Sequence, residues 1–188
     1  RAKSGLLRGR EFIMKDLYSF HLDQEDLNAY YLQVQKSYFQ IFKRCGLIDQ
    51  TYLTFASGGA FSQYSHEFQT VTEAGEDIIY ICEDCNLAIN KEIINEQSVC
   101  PNCGRQDLVE KKAIEIGNIF KLGSRFSKAF DLQVNDAEGA KKPVVMGCYG
   151  LGVTRLMGTI VEINHDDRGI IWPKEVAPFK AHLIDLTT

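Results

Sequence analysis

Residues 144–156 read VVMGCYGLGVTRL. The apolar run Val144 to Tyr149 has the make-up of a buried strand. From about Leu151 to Ile163 the pattern turns helical. Gly147, Gly150 and Gly152 join the two, and Arg155 falls one turn into the helix. Glycines at such a join let a ligand approach the backbone closely. A guanidinium there can hold a phosphate through two parallel N–H donors. No Gly-Lys-Ser/Thr follows, and the glycine spacing is not that of the dinucleotide fingerprint. The plain alternative is a tight strand–helix turn with a surface arginine.

Upstream of this stretch, residues 113–120 (AIEIGNIF) and 67–72 (EFQTVT) carry strand-like patterns. So do Tyr52–Ala56, Ile78–Ile81 and Arg10–Phe20, the last after a glycine-containing loop at Ser4–Gly9. Asp23 is a suitable N-cap for a long helix over Glu25–Cys45. Leu27, Tyr31, Val34, Tyr38, Phe42 and Cys45 recur there at helical spacing, and Gly46 sits at the C-cap. A short helical stretch lies near Ser124–Phe130. Ile170 to Pro173 closes the region, Pro173 and Pro178 bracket a linker, and Ala181–Leu186 reads as one more strand. Strands joined mainly by turns, with one long helix early and another late, predict an α+β fold: an antiparallel sheet flanked by helices.

With 188 residues, 45% of them hydrophobic and 24% charged, the chain is long enough for a core and unlike a disordered or fibrous sequence. No apolar run approaches membrane-spanning length. The net charge of -4 argues against coating a nucleic acid by bulk electrostatics. Yet residues 1–15 hold Arg1, Lys3, Arg8, Arg10 and Lys15. Such a cluster in an acidic chain fits one docked phosphate group or a small anion, or simply a solvated basic surface.

Four of the six cysteines read C-x2-C-x14-C-x2-C: Cys82, Cys85, Cys100 and Cys103. Paired spacing of this kind, without a secretory signal, points to a reducing compartment and zinc rather than disulfides. Pro101 stiffens the second turn and Gly104 permits the backbone to leave it. Four thiolates close the tetrahedral shell, so the zinc is expected to be structural. Unmetallated thiols are the alternative. Cys45 lies on the helix stripe and reads as core. His21, His66, His165 and His182 are scattered and read as structural.

Arg8, Phe12 and Asp16 are four residues apart. On a strand they would share one face. A cation, a flat ring and a carboxylate would then suit a phosphate, an aromatic ring and an ammonium.

Taken together, the Arg8 and Arg155 stretches resemble motifs 2 and 3 of class II aminoacyl-tRNA synthetases. RGREFIMKDLYSFH, SHEFQTVTEAGEDI, IEIGNIFKLGSRFS and VVMGCYGLGVTRL resemble prolyl-tRNA synthetases of the bacterial and organellar type. WPKEVAPFKAHLI resembles that family's passage into the anticodon-binding domain. The resemblance implies the class II catalytic-core fold, with a small zinc-ribbon-like insertion. It implies activation of proline with ATP and transfer of the prolyl group to proline tRNA. Carried over by position, Arg8 and Arg155 grip the ATP phosphates and Phe12 stacks on adenine. Glu115 lies beside the ribose and phosphates and helps hold Mg²⁺, and Asn118 stands at a nucleotide contact where many relatives have histidine. Met14, Asp16 and Tyr18 border the proline site, with Cys148 at its wall and Glu67 and Phe68 close by. The resemblance also implies a homodimer for the intact enzyme and a cytoplasmic or organelle-matrix location.

The expected division is 1–81 and 111–173 as two parts of the catalytic core, 82–110 as the zinc-binding insertion, and 174–188 as linker and the start of an anticodon-binding domain. The insertion stands where many relatives carry an editing domain. Motif 1 and the first arginine of motif 2 have no counterpart in the sequence. The chain is therefore expected to be part of a longer enzyme and inactive alone. The competing expectations are an inactive synthetase-like paralogue and a zinc-ribbon module that binds RNA or protein.

Overall fold

The computed structural model describes residues 2–186; Arg1, Thr187 and Thr188 lie outside the described residues. The chain begins with a 3₁₀ turn at Gly5–Leu7, followed by strand β1 (Met14–His21) and helix α1 (Gln24–Arg44). Strands β2 (Thr51–Ser57), β3 (Tyr64–Val71), β4 (Asp77–Cys82) and β5 (Leu87–Asn90) precede the long β6 (Val109–Gly123). Helix α2 (Arg125–Ala129) and a hairpin of β7 (Gln133–Asn135) and β8 (Lys141–Pro143) lead to β9 (Val145–Gly152) and α3 (Val153–Ile163). A two-residue hairpin, β10 (His165–Asp166) and β11 (Gly169–Ile170), follows.

The main sheet runs β1-β9-β6-β3-β2-β5-β4, and β4 returns to pair with the first half of β6. Every pairing in it is antiparallel except β2–β5. Helix α1 lies against the sheet. Asp23 caps it by accepting a hydrogen bond from Asp26 N at 2.9 Å, and Gly46 just past its end takes a φ of +70°, which only glycine adopts cheaply. Leu27, Tyr31, Val34, Tyr38 and Phe42 form its buried stripe. The last four join Cys45, Phe68, Ile116, Tyr149 and Leu151 in one core. His21 and His66 are structural: His21 bonds Ser19 and Asp26, and His66 bonds Tyr31.

Several boundaries differ from the sequence reading. Residues 10–13 are not strand, because their backbone pairs with the start of α3 rather than with the sheet. Ile13 N donates to Thr154 Oγ1 at 2.9 Å, and Val153 N donates to Ile13 O at 2.9 Å. Arg8, Phe12 and Asp16 therefore do not share a strand face; of the three only Asp16 is in β1, and Arg8 forms an isolated bridge with Lys3. Gly150 and Gly152 lie inside β9, not in a turn after it. Residues 181–186 have no regular structure, since no neighbouring strand pairs with them. Strand β5 and the β7–β8 hairpin were not legible, being only three or four residues each.

The cysteine segment is joined to the sheet. β4 and β5 are the arms of a hairpin with Cys82 and Cys85 at its tip, and β5 also pairs with β2.

Candidate active site

A cavity of about 710 Å³ opens on the sheet face opposite α1. Arg8, Phe12, Met14, Glu115, Asn118 and Arg155 all line it. These are the five residues expected at the nucleotide, with Met14 from the amino-acid set. The chain segment before β1, the middle of β6 and the β9–α3 junction bring them together. Gly117 and Gly150 form part of the floor. A Cβ on Gly150 would lie 2.8 Å from Asn118 Oδ1 and 3.4 Å from Met14 Cε, so a larger residue there would displace the Asn118 side chain.

Arg155 is fixed at three points. Its Nε donates to Leu7 O at 3.0 Å, its Nη1 donates to Glu115 O at 3.0 Å, and Glu115 Oε2 lies 3.6 Å from Nη1. The guanidinium thus locks the 3₁₀ turn to β6. Asn118 Nδ2 donates to Glu115 Oε1 at 2.8 Å. Burial raises the Glu115 carboxyl above its ordinary value, and the Arg155 charge opposes that rise.

Arg8 is exposed at the cavity mouth, where its Nη1 donates to Glu76 Oε2 at 2.7 Å. Lys3 meets the same carboxylate at 3.1 Å. The basic cluster is thus partly neutralised by Glu76. Lys15 does not belong to this surface. Its Nζ points into the core, donating to Tyr38 Oη at 2.6 Å and Tyr149 O at 3.2 Å.

Along β1, Asp16 and Tyr18 follow Met14 on one face. Tyr18 and Cys148 are register partners and line a second, apolar cavity of about 280 Å³ with Phe61, Phe126, Phe130 and Met146. Burial raises the Cys148 thiol, while its hydrogen bond with Tyr18 opposes this. Glu67 sits one strand behind the larger cavity, opposite Asn118. Phe68 is not at the site. It is fully buried on the α1 side of the sheet, its ring stacked 5.0 Å from that of Tyr38. Alternation along β3 decides this: if Glu67 faces the cleft side, Phe68 must face the core.

The four paired cysteines form the second site. Their Sγ atoms all lie within 4.8 Å of one another, and Cys82 and Cys103 are 3.6 Å apart. Zinc–sulfur bonds of about 2.3 Å in a tetrahedron place the sulfurs about 3.8 Å apart, so the cluster fits zinc. Burial raises the Cys100 thiol, but N–H groups of Cys103 and Asn102 outweigh it and bring it down to about 7. Arg105 ties the two knuckles by an ion pair to Asp84 at 2.6 Å.

An antiparallel sheet bearing a cavity, with an arginine in the first turn of its last helix, is the arrangement expected of class II synthetases. The chain belongs to this family: the tRNA synthetase class II core domain (G, H, P, S and T) matches residues 1–164. Its relatives include the proline--tRNA ligase of Anaplasma marginale, 36% identical over 202 residues, covering 100% of this chain and 47% of that protein. The proline--tRNA ligase of Sulfurimonas denitrificans is 38% identical over 205 residues, covering 98% and 46%. A probable mitochondrial proline--tRNA ligase of Schizosaccharomyces pombe is 37% identical over 189 residues, covering 98% and 44%. The chain spans about half the length of the curated relatives it matches. No helix among the described residues is long and apolar enough to cross a membrane.

Proposed function

We propose that this chain is the catalytic portion of a proline--tRNA ligase. The proline carboxylate attacks the α-phosphate of ATP, pyrophosphate leaves, and the prolyl group passes from the adenylate to the 3′ end of proline tRNA, releasing AMP. The observation that carries this reading is the gathering of Arg8, Phe12, Glu115, Asn118 and Arg155 around one cavity. Displacement at phosphorus needs alignment and charge neutralisation rather than a protein nucleophile. Arg155 supplies a guanidinium already oriented by Leu7 and Glu115. Arg8 supplies a second at the mouth, and Phe12, 62% exposed, offers a ring for the adenine.

Glu115 is the residue to hold Mg²⁺, which when bound neutralises phosphate charge. Met14, Asp16, Tyr18 and Cys148 form the wall for proline, with Asp16 the acceptor for its ammonium. Zinc at Cys82, Cys85, Cys100 and Cys103 is structural, because four thiolates leave no place for a reactant. A homodimer in the cytoplasm or an organelle matrix is the setting this reading implies.

Proline-dependent ATP–pyrophosphate exchange by the full-length enzyme tests the reading. Exchange more efficient with proline than with other amino acids is expected. No exchange with any amino acid would overturn it in favour of an inactive paralogue.

A further inference from the structure

The hairpin that carries the first cysteine pair reaches the nucleotide cavity through a chain of part-buried hydrogen bonds. Asn90 Nδ2, at the end of β5, donates to Glu67 Oε2 at 3.1 Å. Gln69 Nε2 donates to the same Glu67 oxygen at 2.9 Å and to Asp77 Oδ2 at 2.9 Å. Asp77 begins β4 and lines the cavity. Asn90 and Asp77 thus stand on the two arms of one hairpin, and the Glu67–Gln69 pair of β3 bridges them. No backbone pairing joins β3 to β4. The side chains make the link.

Gln69 is fully buried. Its amide nitrogen serves two carboxylates, and its Oε1 is buried with no partner among the described residues. Turning the amide over would face that oxygen toward both carboxylates. An apolar side chain in its place would leave no orphaned acceptor, so packing alone does not call for glutamine. What glutamine adds is a fixed direction for the Asp77 carboxylate.

We propose that Gln69 is a positioning residue that holds Asp77 in the wall of the nucleotide cavity, and that Asn90 of the cysteine-bearing hairpin anchors the other end of this strut through Glu67. Asp77 then presents an oriented acceptor to hydroxyl or amino hydrogens of the nucleotide. This rests on the reading of the larger cavity as the nucleotide site. It gives the cysteine segment a part in substrate binding as well as in folding.

Calorimetric titration of ATP into the full-length protein, with thermal melting alongside, tests the strut. Gln69→Met and Asn90→Ala are each expected to weaken ATP binding roughly three- to tenfold, the net worth of about one hydrogen bond. Asn90→Ala also loses the cap that Asn90 Oδ1 gives Glu92 N at 3.2 Å, so its melting should fall by about two to four degrees, while Asn90→Asp keeps that cap. Above pH 8, where Glu67 is ionised, Asn90→Asp, equal in size but placing a carboxylate against Glu67, should weaken ATP binding more than Asn90→Ala. A purely packing role would reverse that order. Parental ATP affinity in both Asn90 variants overturns the strut, even if Gln69→Met fails to fold. A parent that binds no ATP overturns instead the nucleotide reading of the cavity.

Discussion

Arg155 and Glu115 are joined twice: Nη1 donates to the Glu115 carbonyl at 3.0 Å, and the Glu115 carboxylate lies 3.6 Å from the same nitrogen. The guanidinium is held in place before any ligand arrives, which lowers the cost of binding a phosphate. Arg155→Ala should reduce proline-dependent exchange by at least about a hundredfold, the scale of a lost charge-assisted clamp. Arg155→Lys keeps the charge but loses the fork, and should recover only part of this. Undiminished exchange in Arg155→Ala would remove Arg155 from the site.

If Arg8 holds phosphate as proposed, Glu76, which accepts from its Nη1 at 2.7 Å, competes for it. The pair is exposed, so breaking it costs at most about 1 kcal/mol. Glu76→Gln should therefore tighten ATP binding by roughly two- to fivefold. Weaker binding in that variant would show that Glu76 helps to place Arg8 rather than compete for it.

One zinc per chain is expected by elemental analysis, with a bound-metal signal abolished in Cys100→Ser. The same variant should melt lower, because metal binding to a site absent from the unfolded chain is folding free energy. A metal-free parent whose Cys100→Ser variant melts unchanged would refute the zinc site.

Phe68 tests the division between the two faces of the sheet. Phe68→Ala should cost about 3–5 kcal/mol of stability, measured by denaturant unfolding. Its ATP affinity, per folded molecule, should match the parent. A selective loss of substrate affinity without loss of stability would return Phe68 to the pocket.

Two half-buried groups tilt stability with pH in opposite directions. Burial, then the Glu115 charge, pushes Glu67 up to about 8 from its ordinary 4.5. Between those values the folded chain holds a proton that the unfolded chain has lost, so this group makes stability fall as pH rises. Burial, then Lys121, lowers His66 to about 4 from 6.5. There the unfolded chain holds the extra proton, so stability rises with pH across that window. Above about 6.5 the His66 contribution is complete and the Glu67 slope continues. The melting midpoint should therefore fall between pH 6.5 and 8, and Glu67→Gln should flatten the fall. An unchanged slope in that variant would assign it to other groups.

The periodic and the motif-bearing parts could be read from local sequence. Helix α1 was legible from its stripe, its Asp23 cap and Gly46, because these signals are local and repeat over twenty-one residues. The cysteine quartet was legible from spacing alone, since two short turns fix where four sulfurs can go. The family was legible because Arg8, Met14–His21, Glu115 and Gly147–Arg155 fall in order along the chain. Tertiary structure decided the rest. It took Lys15 out of the basic surface and put it under Tyr38, assigned Phe68 to the core, and showed Glu76 facing Arg8 from 68 residues away. It also brought Asn90, Gln69 and Asp77 into one strut. None of these has a local signal, because strand pairing chooses which residues meet, and a one-residue change of register would have turned every side chain to the other face.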